Sequence, residues 1–216
     1  LLLQGCAGWQ SALDPKGPAA SEQAWLIWFF TGLCAVVWVL VMIAFAAPLT
    51  MRSQERAEPL VLDAGADSRK LRVVITAVGL TALILVGLTL LSFFANRTLA
   101  SIGSDAALTI RVTGHQWWWE VRYEDATPSR ILTTANEIHI PVGQDVRIQL
   151  ESADVVHSFW VPSLAGKQDL VPGRSNSLLL RAERPGIYRG QCTEFCGLQH
   201  THMAMMVIAD ELADYQ

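Results

Sequence analysis

The chain has 216 residues, 51% of them hydrophobic and 17% charged, and a formal net charge of −4. That length holds one ordinary domain plus extra segments, and the apolar residues are not evenly spread along it. From Asp105 to Gln216 there are 14 Asp and Glu against 9 Lys and Arg, a net of −5, a balance that repels nucleic acid and favours basic partners.

The chain opens on Leu1-Leu2-Leu3-Gln4-Gly5-Cys6. This fits the tail of a lipoprotein signal, Leu-x-(Gly/Ala)-Cys, in which Cys6 is the lipid-bearing first residue. Ala7 to Glu22, with Pro15, Gly17 and Pro18, reads as an irregular external segment.

No charged residue occurs from Ala24 to Leu49, and none from Val73 to Asn96. Each stretch exceeds the roughly 20 apolar residues that carry a helix across a bilayer. The segment between them holds Arg52, Arg56, Arg69, Lys70 and Arg72, whereas only Lys16 precedes the first span. Positive-inside orientation then puts that segment in the cytoplasm and both the N-terminus and the C-terminal part outside, which in a bacterial inner membrane is the periplasm. Cys34, mid-span, is read as a small apolar residue. The expected partition is 1–22 as signal remnant or external segment, 23–96 as a transmembrane helical hairpin with a cytoplasmic loop, and 97–216 as a folded head.

Beyond Arg97 the hydrophobic period changes from helical to alternating. Leu108 to Val112, Trp117 to Tyr123, Glu137 to Ile140, Val146 to Leu150, Ser177 to Arg181, Gly186 to Gln191 and Met205 to Ala209 read as strands. Pro141-Val142-Gly143, Pro172-Gly173 and Pro185-Gly186 punctuate them as turns. About seven short strands with regular turns predict an antiparallel sandwich or Greek-key barrel. No Cys-x-x-Cys-His haem-attachment motif occurs.

Chemistry concentrates between the last two strands, in Cys192-Thr193-Glu194-Phe195-Cys196-Gly197-Leu198-Gln199-His200-Thr201-His202-Met203. Thiolate, thioether and imidazole donors suit copper, and a His, a Cys and a weak axial Met make a blue-copper set. Here there is one Cys more than a mononuclear site needs. Two cysteines four apart can each bridge two ions, and each ion then needs its own imidazole. His200 supplies one, and His157, in the apolar stretch Val155 to Pro162, is the best source of the other. Three other readings stand beside this one. Cys192 and Cys196 could form a disulfide, two Cys and two His could hold a structural zinc, and Met203 could be core. The combination of donors favours copper.

The run resembles the signature Cys-x-Glu-x-Cys-Gly-x-x-His-x-x-Met of cytochrome c oxidase subunit II, with every fixed position matched. Gly114-His115-Gln116-Trp117-Trp118-Trp119 resembles that family's aromatic motif, and Asp154-Val155-Val156-His157-Ser158 to Pro162-Ser163 its first-histidine motif. The resemblance implies two transmembrane helices followed by an all-β cupredoxin-like Greek-key barrel with a binuclear copper centre. Cys192 and Cys196 become bridging thiolates, His157 and His200 terminal ligands, and Met203 and the Glu194 carbonyl weak ligands. The Glu194 side chain helps hold a magnesium or manganese ion at the boundary with subunit I. Trp117 is where electrons enter, and Asp154 is a docking carboxylate. His202 reads as a surface or second-shell residue, His139 as exposed and inert, and His115 as packing. The implied function is to accept electrons from cytochrome c and pass them to haem in subunit I, where oxygen is reduced to water with proton pumping. Partners are subunit I, subunit III, cytochrome c and the lipid bilayer, with haem in subunit I only.

Two departures limit the carry-over. Where many relatives have a Glu with a following Trp and Pro before the second span, this chain reads Ala66-Asp67-Ser68-Arg69-Lys70-Leu71-Arg72, leaving the proton-entrance role unassigned. Arg122 stands where many relatives carry a carboxylate, as in the branch with a cytochrome c domain fused after the copper domain. Two other functions compete with this one: a quinol-oxidase subunit, which lacks copper ligands, and a membrane-tethered copper or structural-zinc protein.

Overall fold

The computed structural model describes residues 8–50, 64–101, 106, 108–125 and 127–215. These fall into two compact units, Leu26–Ala100 and a second built from Leu1–Trp25 with Ser101–Gln216.

The first unit is helical. Helix α1 covers Pro18–Thr50 and α2 covers Ala64–Ser101, 33 and 38 residues. At 1.5 Å per residue each is roughly 50 Å or more, longer than the about 30 Å hydrocarbon core. Val36, Leu40 and Ile43 on α1, and Val74, Val78 and Leu85 on α2, are exposed. Such side chains suit lipid, and the helical backbone satisfies its own hydrogen bonds there. Both helices begin earlier than the hydropathy predicts. Proline is well placed in a first helical turn, as Pro18 is. Arg69, Lys70 and Arg72, expected in a loop, continue α2 because long basic side chains are good helix formers. Arg52 and Arg56 lie outside the described residues, as does Cys6.

The second unit is a β-sandwich. Its strands are β1 (Leu108–His115), β2 (Trp118–Tyr123), β3 (Leu132–Ala135), β4 (Glu137–Pro141), β5 (Val146–Ser152), β6 (His157–Trp160), β7 (Gln168–Leu170), β8 (Asn176–Leu180), β9 (Gly186–Cys192) and β10 (Ala204–Asp210). They make two five-stranded sheets, ordered β3-β2-β1-β5-β8 and β4-β10-β9-β6-β7. Alternate side chains turn inward from both sheets, as the two-residue period of a strand requires. Ile110 and Val112 meet Val146, Ile148 and Leu150, and Ile138 and Ile140 meet Met205, Val207 and Ala209, in one core that also buries Trp119 and Phe159. This is the cupredoxin-like barrel, with one correction: β1 pairs with β5, and β4 with β10, in parallel. Strands distant in sequence carry no turn to impose an antiparallel register.

The N-terminal segment, expected to be irregular and external, belongs to this sandwich. The Arg189 N–H donates to the Trp9 carbonyl (3.1 Å), the Lys16 N–H to Ser163 (2.7 Å), the Glu183 N–H to Lys16 (2.9 Å), and the Ala20 N–H, in the first turn of α1, to Leu164 (3.3 Å). The Gln10 side chain bonds both Gln191 and Arg189. β6 pairs with β9 only at Gln191 and Cys192. Further along β9, the Arg189 N–H finds its acceptor in the Trp9 carbonyl.

Candidate metal centre

The ligand loop joins β9 to β10, two antiparallel neighbours, so its ends are held together. The Cys192 N–H donates to the Met203 carbonyl (2.9 Å), and the Thr193 N–H reaches sideways to Ser158 on β6 (3.0 Å). Pairing of Phe159 with Cys192 sets β6 beside the loop, and His157 opens that strand. Gly197 has φ +120, a conformation costly for any residue with a Cβ. A Cβ there would also meet Gln116 Nε2 and Trp117 Cζ2 at 3.1 Å.

Within this frame the donor atoms converge. Cys192 Sγ and Cys196 Sγ are 3.8 Å apart. Both are free thiols, far beyond the roughly 2.05 Å of a disulfide. His157 Nδ1 lies 3.9 Å from Cys192 Sγ, and His200 Nδ1 3.5 Å from Cys196 Sγ. Met203 Sδ is 3.8 Å from Cys196 Sγ, and the Glu194 carbonyl oxygen 3.2 Å from Cys192 Sγ. The ligand atoms of His157, Cys192 and Cys196 all lie within 4.8 Å of one another, close enough to hold a metal ion. His157, Cys192, Cys196 and Met203 are buried, which keeps water from competing for the site. Each thiol therefore has its own imidazole and its own weaker oxygen or thioether donor. That arrangement fits two ions sharing two thiolates better than one tetrahedral ion.

The electrostatics follow from the packing. Burial pushes the Cys192 thiol up, but hydrogen bonding to His157 and to the Ser158 and Glu194 backbone outweighs it and brings the group down to about 7. Burial and then the charge of Cys192 push Cys196 up to about 12. Burial acts to lower His157, yet Cys192 on one side and Asp154 on the other hold it above its ordinary value. Thiolates are the metal-binding form, and the lowering of the Cys192 thiol favours it.

Asp154, expected at a docking surface, is turned toward His157. Its Oδ1 lies 2.8 Å from His157 Nε2 and accepts the Val155 N–H (2.6 Å), while Oδ2 accepts the Gln116 N–H (2.7 Å). Burial raises its pKa, but these bonds, His157 first, leave it below the usual carboxylate value. Trp117 is half-buried against the loop, Trp118 exposed and Trp119 fully buried. The Trp117 indole N–H and the Gln116 amide both donate to the Cys196 carbonyl, at 3.1 and 2.7 Å. The Glu194 carboxylate sits 3.8 Å from Lys167 Nζ, which is also 3.2 Å from Asp169. His115 stacks on Trp118 at 4.5 Å, and His202 is exposed. His139 is not inert: Asp210 and Glu137 bracket its ring at 2.7 and 3.1 Å.

Sequence reading missed Gln116, which bonds both Asp154 and the Cys196 carbonyl. The only signal was its place inside the aromatic motif. Lys167 was missed too, because its partners Asp169 and Glu194 come together only through the β6–β7 hairpin and the ligand loop.

Comparison with known proteins agrees with these motifs. Residues 125–210 match the family described as cytochrome c oxidase subunit II, periplasmic domain. Cytochrome c oxidase subunit 2 of Alkalihalophilus pseudofirmus is 32% identical over 231 residues, covering 100% of this chain and 63% of that protein. The Metridium senile protein of that name is 38% identical over 130 residues, covering 51% of this chain and 52% of its own. The chain thus spans less than two thirds of either relative's length. The solved periplasmic domain of subunit II of cytochrome oxidase from Bradyrhizobium japonicum is 32% identical, with a TM-score of 0.48, covering 51% of this chain and 89% of that one.

Proposed function

This chain belongs to the cytochrome c oxidase subunit II family, and on that premise we propose that it accepts electrons from cytochrome c at a binuclear copper centre and passes them to haem in subunit I. The observation that carries the reading is the pairing of each buried thiol with its own imidazole, 3.9 Å on the Cys192 side and 3.5 Å on the Cys196 side. Cys192 and Cys196 Sγ, His157 and His200 Nδ1, Met203 Sδ and the Glu194 carbonyl would hold the two ions. Copper held there would supply a one-electron relay with little reorganisation.

The chain's own residues do the rest. The β9–β10 junction fixes the loop ends, Phe159 and Trp119 close the interior beside His157, and burial of the thiols excludes water. Trp117 is the residue through which electrons enter, supported by its hydrogen bond to the Cys196 backbone. The two apolar helices anchor the head, on the periplasmic side of a bacterial inner membrane, against subunits I and III, and oxygen is reduced to water in subunit I with proton pumping. Glu194 contributes one carboxylate to a magnesium or manganese ion completed by subunit I, in competition with the Lys167 ammonium.

Metal analysis with visible and EPR spectra of the purified oxidase tests this. Two coppers per chain and a binuclear spectrum are expected. Zinc at full occupancy in protein made with ample copper, or no metal at the site, overturns it.

A further inference from the structure

We propose that Gly114 and Asp154 are positioning residues that jointly hold the His157 ring so that Nδ1, not Nε2, faces the two thiols. This rests on the copper reading above but concerns residues outside the ligand set.

An imidazole on a short strand can turn about its Cβ–Cγ bond, exchanging nitrogen for carbon at the metal side. Two features of the fold prevent that. Asp154 Oδ1, 2.8 Å from Nε2, accepts that nitrogen's hydrogen, and the tautomer it selects leaves the Nδ1 lone pair toward Cys192 Sγ at 3.9 Å. Asp154 is itself immobilised by the Val155 and Gln116 N–H groups. A carboxylate with both oxygens bound inward has little left to offer a docking protein.

Gly114 forms the other wall. It lies one residue before the end of β1, pairing with Trp119 on β2 and Ser152 on β5, and its carbonyl accepts the Ala153 N–H at 3.0 Å. A Cβ at this position would lie 2.8 Å from His157 Cδ2, 3.0 Å from Cγ and 3.3 Å from Cβ. Carbon atoms pack at about 3.5 Å or more, so the ring would have to shift by about 0.7 Å. Metal sites tolerate about 0.5 Å. Trp119 is tilted against the ring at 6.1 Å, and His157 is fully buried. Bare backbone below and a fixed carboxylate at the far nitrogen therefore define the orientation. The end of β1 supplies both, since Gly114 and Gln116 each bond the 153–154 turn.

The experiment compares the wild-type full chain in its purified oxidase with Asp154→Ala, Asp154→Asn and Gly114→Ala. Copper affinity by chelator competition, the copper spectrum, and the association rate with cytochrome c are measured. Asp154→Ala is expected to lower copper affinity about 10- to 100-fold and to change the spectrum. Asp154→Asn keeps an acceptor oxygen of the same shape and should recover most of both, which also guards against a folding defect in the Ala variant. Gly114→Ala should change the spectrum without slowing donor association. If copper affinity and spectrum stay wild-type in Asp154→Ala and Gly114→Ala while both Asp154 variants slow the donor equally, Asp154 is a docking charge and the inference fails alone. A wild-type chain without copper removes the functional reading and this inference together.

Discussion

The indole N–H of Trp117 donates to the backbone carbonyl of Cys196 at 3.1 Å. A half-buried aromatic ring is thus one hydrogen bond from a proposed bridging cysteine. Gln116 donates to the same oxygen at 2.7 Å, so the carbonyl keeps a partner if the indole is lost. Trp117→Phe should therefore cost only about 1 kcal/mol of stability, leave the copper spectrum and donor binding nearly unchanged, and slow electron transfer from cytochrome c severely. Stopped-flow reduction of the copper centre measures this. Full turnover in the variant would mean that Trp117 only plugs the end of the barrel.

Cys196→Ser tests the bridge. The hydroxyl is a hard donor and cannot bridge soft ions as a thiolate does, so the binuclear spectrum should vanish. Serine is close in size, and burying its hydroxyl costs about 1–3 kcal/mol, so the head should still fold. Circular dichroism alongside EPR separates loss of the centre from loss of the fold. A retained binuclear spectrum would remove Cys196 from the ligand set.

His139 gives the head a pH-dependent contribution to stability. Burial acts to lower its pKa, but hydrogen bonds to Asp210 and Glu137 outweigh this and leave it raised. The nearby Tyr123, pushed up to about 12 by burial, stays neutral across the range. With the folded value above the unfolded value of about 6.5, the stabilisation is fully present below about 6.5 and is lost as pH rises through the folded value. The ring is partly exposed, so the effect should be under about 1 kcal/mol. Urea unfolding of the detergent-solubilised chain followed by tryptophan fluorescence should show wild type losing its advantage over His139→Gln as pH rises. A gap that is constant or widens with pH would contradict the sign.

The N-terminal strap should protect β9. Deleting residues 8–16 removes the acceptor of the Arg189 N–H and the side-chain partner of Gln191. Hydrogen exchange across Gly186–Cys192 should then accelerate about tenfold for each 1.4 kcal/mol lost. Unchanged exchange would show that the strap adds nothing to that strand.

Much of this was readable beforehand, for identifiable reasons. The spans were legible because bilayer thickness demands long uncharged runs, and most strands because one buried face produces alternation. β6 was missed because His157, Ser158 and Phe159 are all buried, which erases the two-residue period. β7 has only three residues, too few to show any pattern. The donor set was legible because its chemistry is concentrated in one loop. The turn of Asp154 toward His157 was not, since a carboxylate three residues before a histidine can point either way until a third strand, β1, supplies the N–H and the bare backbone that orient it.

Because the sandwich draws on residues from both sides of the helical unit, its assembly has a fixed order in time. Gln10 and Gln191 are 181 positions apart, so the strap leaves the ribosome well before the strand it braces. In between come both membrane spans, and closing so long a loop carries an entropic cost met only when the two ends dock. β9 both receives the strap and leads into the ligand loop. The loop therefore gains its finished support only after both long helices and β9 have been made.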